Sequence, residues 1–168
     1  MTEQDTLKSQ FLEGMSRSAA SVSVVTTDGP AGRAGVTVSA MTSISADGAQ
    51  PTMLACLNET TSALGPLLKN EAFCINVLRI DQNEISDVFS SRVEAPGGDK
   101  FNATPHTLSA TGAPRLTEAL VSFDCTLMSA LRVGSHYVCI GAVQEVHLAG
   151  EGKPLLYGMR RYLRPEHH

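Results

Sequence analysis

The sequence predicts a mainly β protein, antiparallel and closed or nearly closed as a barrel, with only a few short helices. Three observations predict it. Apolar and β-branched residues alternate in short runs, Gly, Pro, Asp and Asn turns separate those runs, and two long alternating segments late in the chain are joined too tightly for anything but a hairpin. A chain of 168 residues, 42% hydrophobic and 18% charged, is long enough for one sizeable core and too short for two typical domains. A single domain over 1–165 is expected.

The opening segment spaces Leu7, Phe11 and Met15 four apart, with Asp5 or Thr6 as N-cap, which predicts a short amphipathic helix packed on the domain. Val22 to Thr27 alternates, and Asp28, Gly29, Pro30 and Gly32 then supply a turn before the run GRAGVTVSAMTSIS from Gly32 to Ser45. The two runs form a hairpin. In the second, Val36, Val38, Ala40 and Ile44 point to one side and Thr37, Ser39, Ser43 and Ser45 to the other. Sheet faces that meet water usually carry some Lys or Glu, so an uncharged row of hydroxyls reads as a face against which something polar but uncharged sits. Strand propensity alone would also favour such a Thr- and Ser-rich run.

After a loop from Ala46 to Gln50, Pro51 leads into the buried strand Met53 to Leu57, which ends at Asn58. The next residues, ETTSALGPLLKN, place Ala63, Leu64, Leu67 and Leu68 at helical spacing, with Thr60 or Thr61 as N-cap and Pro66 tolerated in the first turn. Such a helix start favours an anion, and Ser62 adds a hydroxyl for a phosphate; the same hydroxyls equally well cap the helix. FCINVL, Phe73 to Leu78, is another strand, and Asp81 with Glu84 resembles a capping box for a helix carrying Ile85, Val88 and Phe89. Glu94 to Asn102 is a turn-rich loop. Leu120 to Leu131 and Tyr137 to Leu148 form the long hairpin, Leu155 to Tyr157 close the sheet, and the arginine-rich MRRYLR finishes the fold. His106 in a loop and His147 on a strand edge receive no function.

Several function classes are disfavoured. A net charge of −4 gives no electrostatic reason to expect nucleic acid. No apolar run is long enough to cross a bilayer and MTEQDTLKSQ lacks the layout of a signal peptide, so no membrane partner and a cytoplasmic location are expected. Cys56, Cys74, Cys125 and Cys139 sit among apolar residues and read as buried thiols; neither CxxC nor HExxH occurs, so no metal site is signalled. Gly29, Gly32 and Gly35 are spaced GxxGxxG between strands, unlike a dinucleotide fingerprint, and no GxSxG elbow or phosphate-binding GxxxxGK[ST] loop occurs. Glu166, His167 and His168 are read as a tag remnant.

Taken in order, VSVVTT, GVTVSAMTSIS, PTMLACLN, Ser62 at a helix start, FCINVL, DKF at Asp99 to Phe101, GAPRL, VSFDC, GSHYVCIGAV and PLLYGMRRY resemble the flavin reductase-like split-barrel family. That family includes the small NAD(P)H:flavin reductase components of two-component monooxygenases. The resemblance runs from Phe11 to Tyr162 and implies an antiparallel Greek-key split barrel of the FMN-binding type, working as a homodimer. It implies FMN or FAD along Thr37, Val38, Ser39 and Ala40, with Ser43 near the ring, Ala55, Cys56, Leu57 and Asn58 on the ribityl side, and Ser62 at the phosphate. Apart from the resemblance, the charges of Arg92, Lys100 and the cluster Arg160, Arg161 and Arg164 make them candidate contacts for nucleotide phosphates, the alternative being a solvated surface, and Phe101 of the DKF stretch is counted with the cofactor contacts. His136, in the motif Gly134-Ser135-His136, and Tyr162 are implied beside the nicotinamide of NADH or NADPH; Ser135 stands where an aspartate is more usual, and Pro51 stands alone where a pair is common.

The residues themselves agree. Flavin pyrimidine atoms and ribityl hydroxyls suit an uncharged hydroxyl face, and without Trp the ring is expected to bed on backbone with one face open. The expected activity is hydride transfer from the nicotinamide to the flavin, with reduced flavin passed to a separate oxygenase component. His136 serves to orient the nicotinamide, or alternatively only closes a hairpin turn. Two other readings stand beside this one. A tightly held flavin would serve another small acceptor, such as a corrinoid, and a non-catalytic barrel would simply bind flavin or haem.

Overall fold

Local chain chemistry explains most elements of the computed structural model, which describes residues 2–166. The expected tag residues His167 and His168 lie outside that range. Helix α1 (Glu3–Ser16) begins with a reciprocal cap: the Thr2 hydroxyl accepts from the Asp5 N–H, and the Asp5 carboxylate accepts from the Thr2 N–H. The cap therefore falls earlier than Asp5 or Thr6. Nor does the helix pack as expected, since Leu7, Phe11 and Met15 are all exposed and no residue of α1 is buried. Its ties are a 2.9 Å ion pair from Glu13 to Arg160 and a hydrogen bond from the Met159 N–H to the Ser16 carbonyl.

The strands follow as β1 (Ala20–Ser21), β2 (Ser23–Thr27), β3 (Ala34–Val38), β4 (Met41–Ser45), β5 (Thr52–Asn58), β6 (Ala72–Val77), β7 (His106–Leu108), β8 (Pro114–Leu116), β9 (Val121–Val133), β10 (His136–Leu148), β11 (Leu156–Gly158) and β12 (Arg161–Leu163). Seven of them make one antiparallel sheet in the order β3-β2-β6-β9-β10-β5-β4. β3 and β4 are consecutive in sequence yet occupy its opposite edges. Ser39 and Ala40 bend a single run so that its first half pairs with β2 and its second with β5, and the Cys56 N–H donates to the Ala40 carbonyl at 2.9 Å. That bend closes the barrel. It also interrupts the alternation predicted for Gly32 to Ser45: Val36 and Val38 are buried, whereas Ala40 and Ile44, at and beyond the bend, are exposed.

Helices α2 (Leu64–Asn70) and α3 (Asn83–Phe89) are short. α2 starts later than Thr60 or Thr61, because Asn58 holds those residues in a turn of their own: its side-chain oxygen accepts from the Thr60 N–H at 2.9 Å, and its carbonyl from the Thr61 hydroxyl at 3.0 Å. α3 is preceded by Gln82 rather than a capping Asp81, whose carboxylate turns to Arg79 at 3.8 Å. The long hairpin β9–β10 turns at Gly134 and Ser135, with Gly134 at φ 59°, a left-handed value that glycine adopts without strain.

Both faces of the central strands are covered. Val25, Val36, Val38, Leu57, Phe73 and Ile75 fill the barrel interior with Leu64 and Leu67 of α2. On the outside, Val22 and Val24 meet Leu78, Phe89, Phe101, Leu116 and Leu155. β2 and β6 are therefore buried along their whole length, so the alternation expected for Val22 to Thr27 places no residue of β2 on the surface. Leu155 to Tyr157 do not close the main sheet; β11 joins β1 and β12 in a separate three-stranded sheet. His106 stands in β7, paired with β8, and its ring packs on Phe101.

Asn76 is the polar pin of this arrangement. It is fully buried; its Nδ2 donates to the Val24 carbonyl at 3.1 Å, and its Oδ1 accepts from the Leu116 N–H at 3.0 Å and the Ser122 hydroxyl at 2.8 Å. Asn76→Leu would leave the buried Leu116 N–H and Ser122 hydroxyl without their acceptor. It is expected to lower stability by about 3 kcal/mol, read as a shift of the urea midpoint at unchanged slope. An unmoved midpoint would contradict this role.

Candidate functional site

The bend at Ser39–Ala40 leaves a gap in the barrel wall. β3 pairs with β2 on one side only, and the pairing of β5 with β4 ends at Ala55. Below that point the edges of β3 and β5 diverge. Because the Cys56 N–H points toward Ala40, strand alternation turns the Cys56 carbonyl and the Asn58 N–H toward the gap as well. The gap is a cleft of about 220 Å³ lined by Val36 to Ala40, Cys56, Leu57, Asn58, Thr61 and His136. Its wall contains no carboxylate, Lys or Arg.

His136 opens β10 and pairs directly with Asn58 across the strands. Its Nδ1 lies 3.1 Å from the Ser135 hydroxyl, so the serine fixes the ring from the neighbouring position. Beside it, Arg132 pairs with Glu59 at 2.8 Å and the Glu59 N–H donates to the Ser135 carbonyl at 2.8 Å, which holds the hairpin turn against the end of β5.

A second cleft, of about 140 Å³, lies on the other side of β3 and shares Thr37, Val38 and Ser39 with the first. Its far wall is Ser86, Ser90, Arg92, Tyr157 and Tyr162. The Tyr162 hydroxyl donates to Asp87 at 2.5 Å and sits 2.9 Å from the Ser86 hydroxyl; burial, reinforced by the Asp87 carboxylate, raises its pKa. Arg92 stacks over Tyr157 with its guanidinium 5.4 Å from the ring centre and faces Asp87 at 3.7 Å. The Thr37 hydroxyl donates to the Ser86 carbonyl at 2.8 Å. Part of the hydroxyl row thus holds α3 rather than standing free.

The structure brings together Thr37, Val38, Ser39, Ala40, Cys56, Leu57, Asn58 and His136 around the first cleft, and Arg92 and Tyr162 around the second. His136 and Tyr162 are consequently on opposite sides of β3. Other predicted residues stand apart from both clefts. Ser43 lies beyond the bend on exposed β4, and Ala55 points into the barrel core. Ser62 is exposed, two residues before α2, and Thr61 lines the cleft in its place. Lys100 donates to the Phe89 carbonyl at 2.9 Å, its pKa lowered by burial, and Phe101 packs edge-on against Phe89 at 5.2 Å in the outer core. Ser86, Ser90 and Tyr157 carried no signal in the sequence, since only folding sets α3 and β11 opposite β3.

Cys74, Cys125 and Cys139 are buried free thiols, whereas Cys56 is half-buried in the cleft wall. Burial raises the Cys56 pKa, and raises that of Cys139 to about 11, so at neutral pH both remain protonated and poorly nucleophilic. Cys56 is expected to react first with iodoacetamide, more slowly than free cysteine at pH 7.5, accelerating only above the usual thiol range, and more slowly again with FMN present. Mass-spectrometric timing of the modification checks this; alkylation unaffected by FMN would place the flavin elsewhere.

The donor set fits a flavin. Two open strand edges and the uncharged Ser39, Asn58 and Thr61 suit a ring system edged by amides and a hydroxylated chain, while the adjoining cleft supplies a cation at Arg92. Residues 15–165 match the flavin reductase like domain, and the chain belongs to that family. A relative from Methylorubrum populi, named FMN reductase (NADH) RutF, is 44% identical over 154 residues, covering 92% of this chain and 74% of its own. Among solved structures, a candidate flavin reductase from Haemophilus somnus 129PT superposes with a TM-score of 0.85 at 31% identity, covering 94% of this chain and 98% of that one. BorF, described as the flavin reductase component of a bacterial two-component tryptophan halogenase, gives 0.81 at 28% identity, covering 95% of this chain and 99% of that one.

Proposed function

We propose that the protein is an NADH-dependent FMN reductase that supplies reduced flavin to a separate oxygenase or halogenase component. The observation that carries this reading is the uncharged gap between β3 and β5 in a chain of the flavin reductase family. The ring beds on Thr37, Val38 and Ser39, the ribityl chain follows Cys56 to Asn58, and the phosphate end meets Thr61. When bound, the flavin supplies the hydride acceptor for the reduced nicotinamide. The chain contributes position and exclusion of water rather than a nucleophile. His136, held by Ser135 at the lip of the cleft, orients the nicotinamide against the open ring face. Arg92 offers a charged contact for a nucleotide phosphate from the neighbouring cleft.

A second copy of the chain completes the assembly. Leu7, Phe11, Leu12 and Met15 of α1, and Met128, Leu131 and Val133 at the end of β9, are apolar and 54–68% exposed in the single chain. Their burial against another protomer offsets that exposure. No described helix is long and apolar enough to cross a membrane.

NADH oxidation followed by absorbance, on desalted protein with FMN, with FAD and with neither, tests the activity. Turnover that rises and saturates with added FMN is the expected result. No turnover with any flavin would overturn the reading, and turnover on residual bound flavin alone would favour a dedicated electron-transfer enzyme.

A further inference from the structure

His136 stands at the end of a hairpin that its own chain holds weakly. β6 accompanies β9 only as far as Thr126, with one further bond from the Leu127 N–H to the Glu71 carbonyl at 2.8 Å. Beyond that point β9 pairs with β10 alone, and the pairing of β10 with β5 ends at the step His136–Asn58. Met128, Leu131 and Val133 are 58–63% exposed within the chain, and a Cβ at Gly134 would meet nothing within 4 Å. A strand tip with so few buried contacts has low local stability, so its position depends on the few bonds that cross to the barrel.

Two bonds cross there, and both belong to Glu59. Its N–H donates to the Ser135 carbonyl at 2.8 Å, one step past Asn58, and its carboxylate meets the Arg132 guanidinium at 2.8 Å. Arg132 also returns to the turn, where its Nε donates to the Gly134 carbonyl at 3.2 Å. Glu59 is itself a fixed point, because it lies inside the turn in which the Asn58 oxygens hold Thr60 and Thr61.

We propose that Glu59 and Arg132 are positioning residues: their ion pair latches the β9–β10 turn to the end of β5 and so holds His136 over the cleft for the nicotinamide. Neither residue lines either cleft. Both act through Ser135, whose carbonyl is held by Glu59 and whose hydroxyl lies 3.1 Å from His136 Nδ1. The Arg132 and Glu59 side chains are 59% and 38% exposed, and an exposed pair supports a change of a few fold, not of orders of magnitude. The assignment rests on the nicotinamide role proposed for His136.

The test joins steady-state kinetics at saturating FMN with hydrogen exchange read by mass spectrometry, both on the full chain. Glu59→Gln and Arg132→Gln each raise the apparent KM for NADH about threefold, while kcat and FMN affinity change by less than about 1.5-fold. The double variant is no worse than the more severe single, because both remove one interaction. In a His136→Ala background Glu59→Gln adds nothing further to KM, a result that general loosening of the fold would not give. Exchange over residues 129–136 quickens at least about threefold in both single variants. Unchanged exchange would overturn the latch and leave the tip to other contacts, those of a second protomer included. Quicker exchange with KM unmoved, in a protein whose His136→Ala does raise KM, would overturn the part in positioning, as would additive effects of Glu59→Gln and His136→Ala. If His136→Ala itself leaves KM unmoved, the nicotinamide reading fails and takes the positioning assignment with it, whatever the exchange shows.

Discussion

Gly35→Val is expected to cost the protein about 3 kcal/mol or more and to weaken flavin binding by over about tenfold. A Cβ at Gly35 would lie 2.6 Å from Phe89 Cε1, 2.9 Å from its Cδ1 and 3.4 Å from Phe101 Cζ. Phe89 is fully buried and locked edge-on against Phe101, so it has no free side to move into. Either Phe89 leaves the outer core or β3 lifts from α3. The second outcome carries Thr37, Val38 and Ser39 away from both clefts. Thermal unfolding and FMN titration together read the effect, and a variant with unchanged melting temperature and affinity would show that the close approach of strand and helix does not shape the site.

His136→Ala is expected to raise the apparent KM for NADH by about tenfold or more while changing FMN affinity by less than about twofold. The ring stands at the lip of the cleft, opposite Asn58, with its Nδ1 at 3.1 Å from Ser135. It is placed to meet a second ligand entering over the flavin more than the flavin itself. Loss of about 1.4 kcal/mol of nicotinamide binding corresponds to that tenfold change. Steady-state kinetics at saturating FMN, with a separate flavin titration, divide the two effects. A larger loss of FMN affinity than of NADH affinity would assign His136 to the flavin instead.

Legibility in the sequence followed the range of the interaction. Alternation and turn residues mark the hairpins β2–β3 and β9–β10 and the doubly buried β6, because those features are set within a few residues. The importance of Gly32 to Ser45 was also visible as an uncharged Thr and Ser run. What the run does was not. Its two halves serve opposite edges of the sheet, a consequence of the bend at Ser39–Ala40 that depends on which strands pair. Ile44 lies exposed rather than on the core side for that reason. The same applies to Lys100 and Phe101, which sequence order sets near the site but which folding spends on the Phe89 carbonyl and the outer core. The flavin-facing role of most residues came from family resemblance; the chemistry of the cleft wall accommodates it. Ser86, Ser90 and Tyr157 needed the fold itself, since no local pattern joins α3 to the C-terminal strands.

The measurement that bears most directly on this account is a crystal structure of the protein grown with FMN. The account predicts the isoalloxazine ring against Thr37, Val38 and Ser39, the ribityl chain beside Cys56 to Asn58, and an open ring face toward His136. FMN bound on the far side of α3, or a gap between β3 and β5 still empty at saturating FMN, would contradict it.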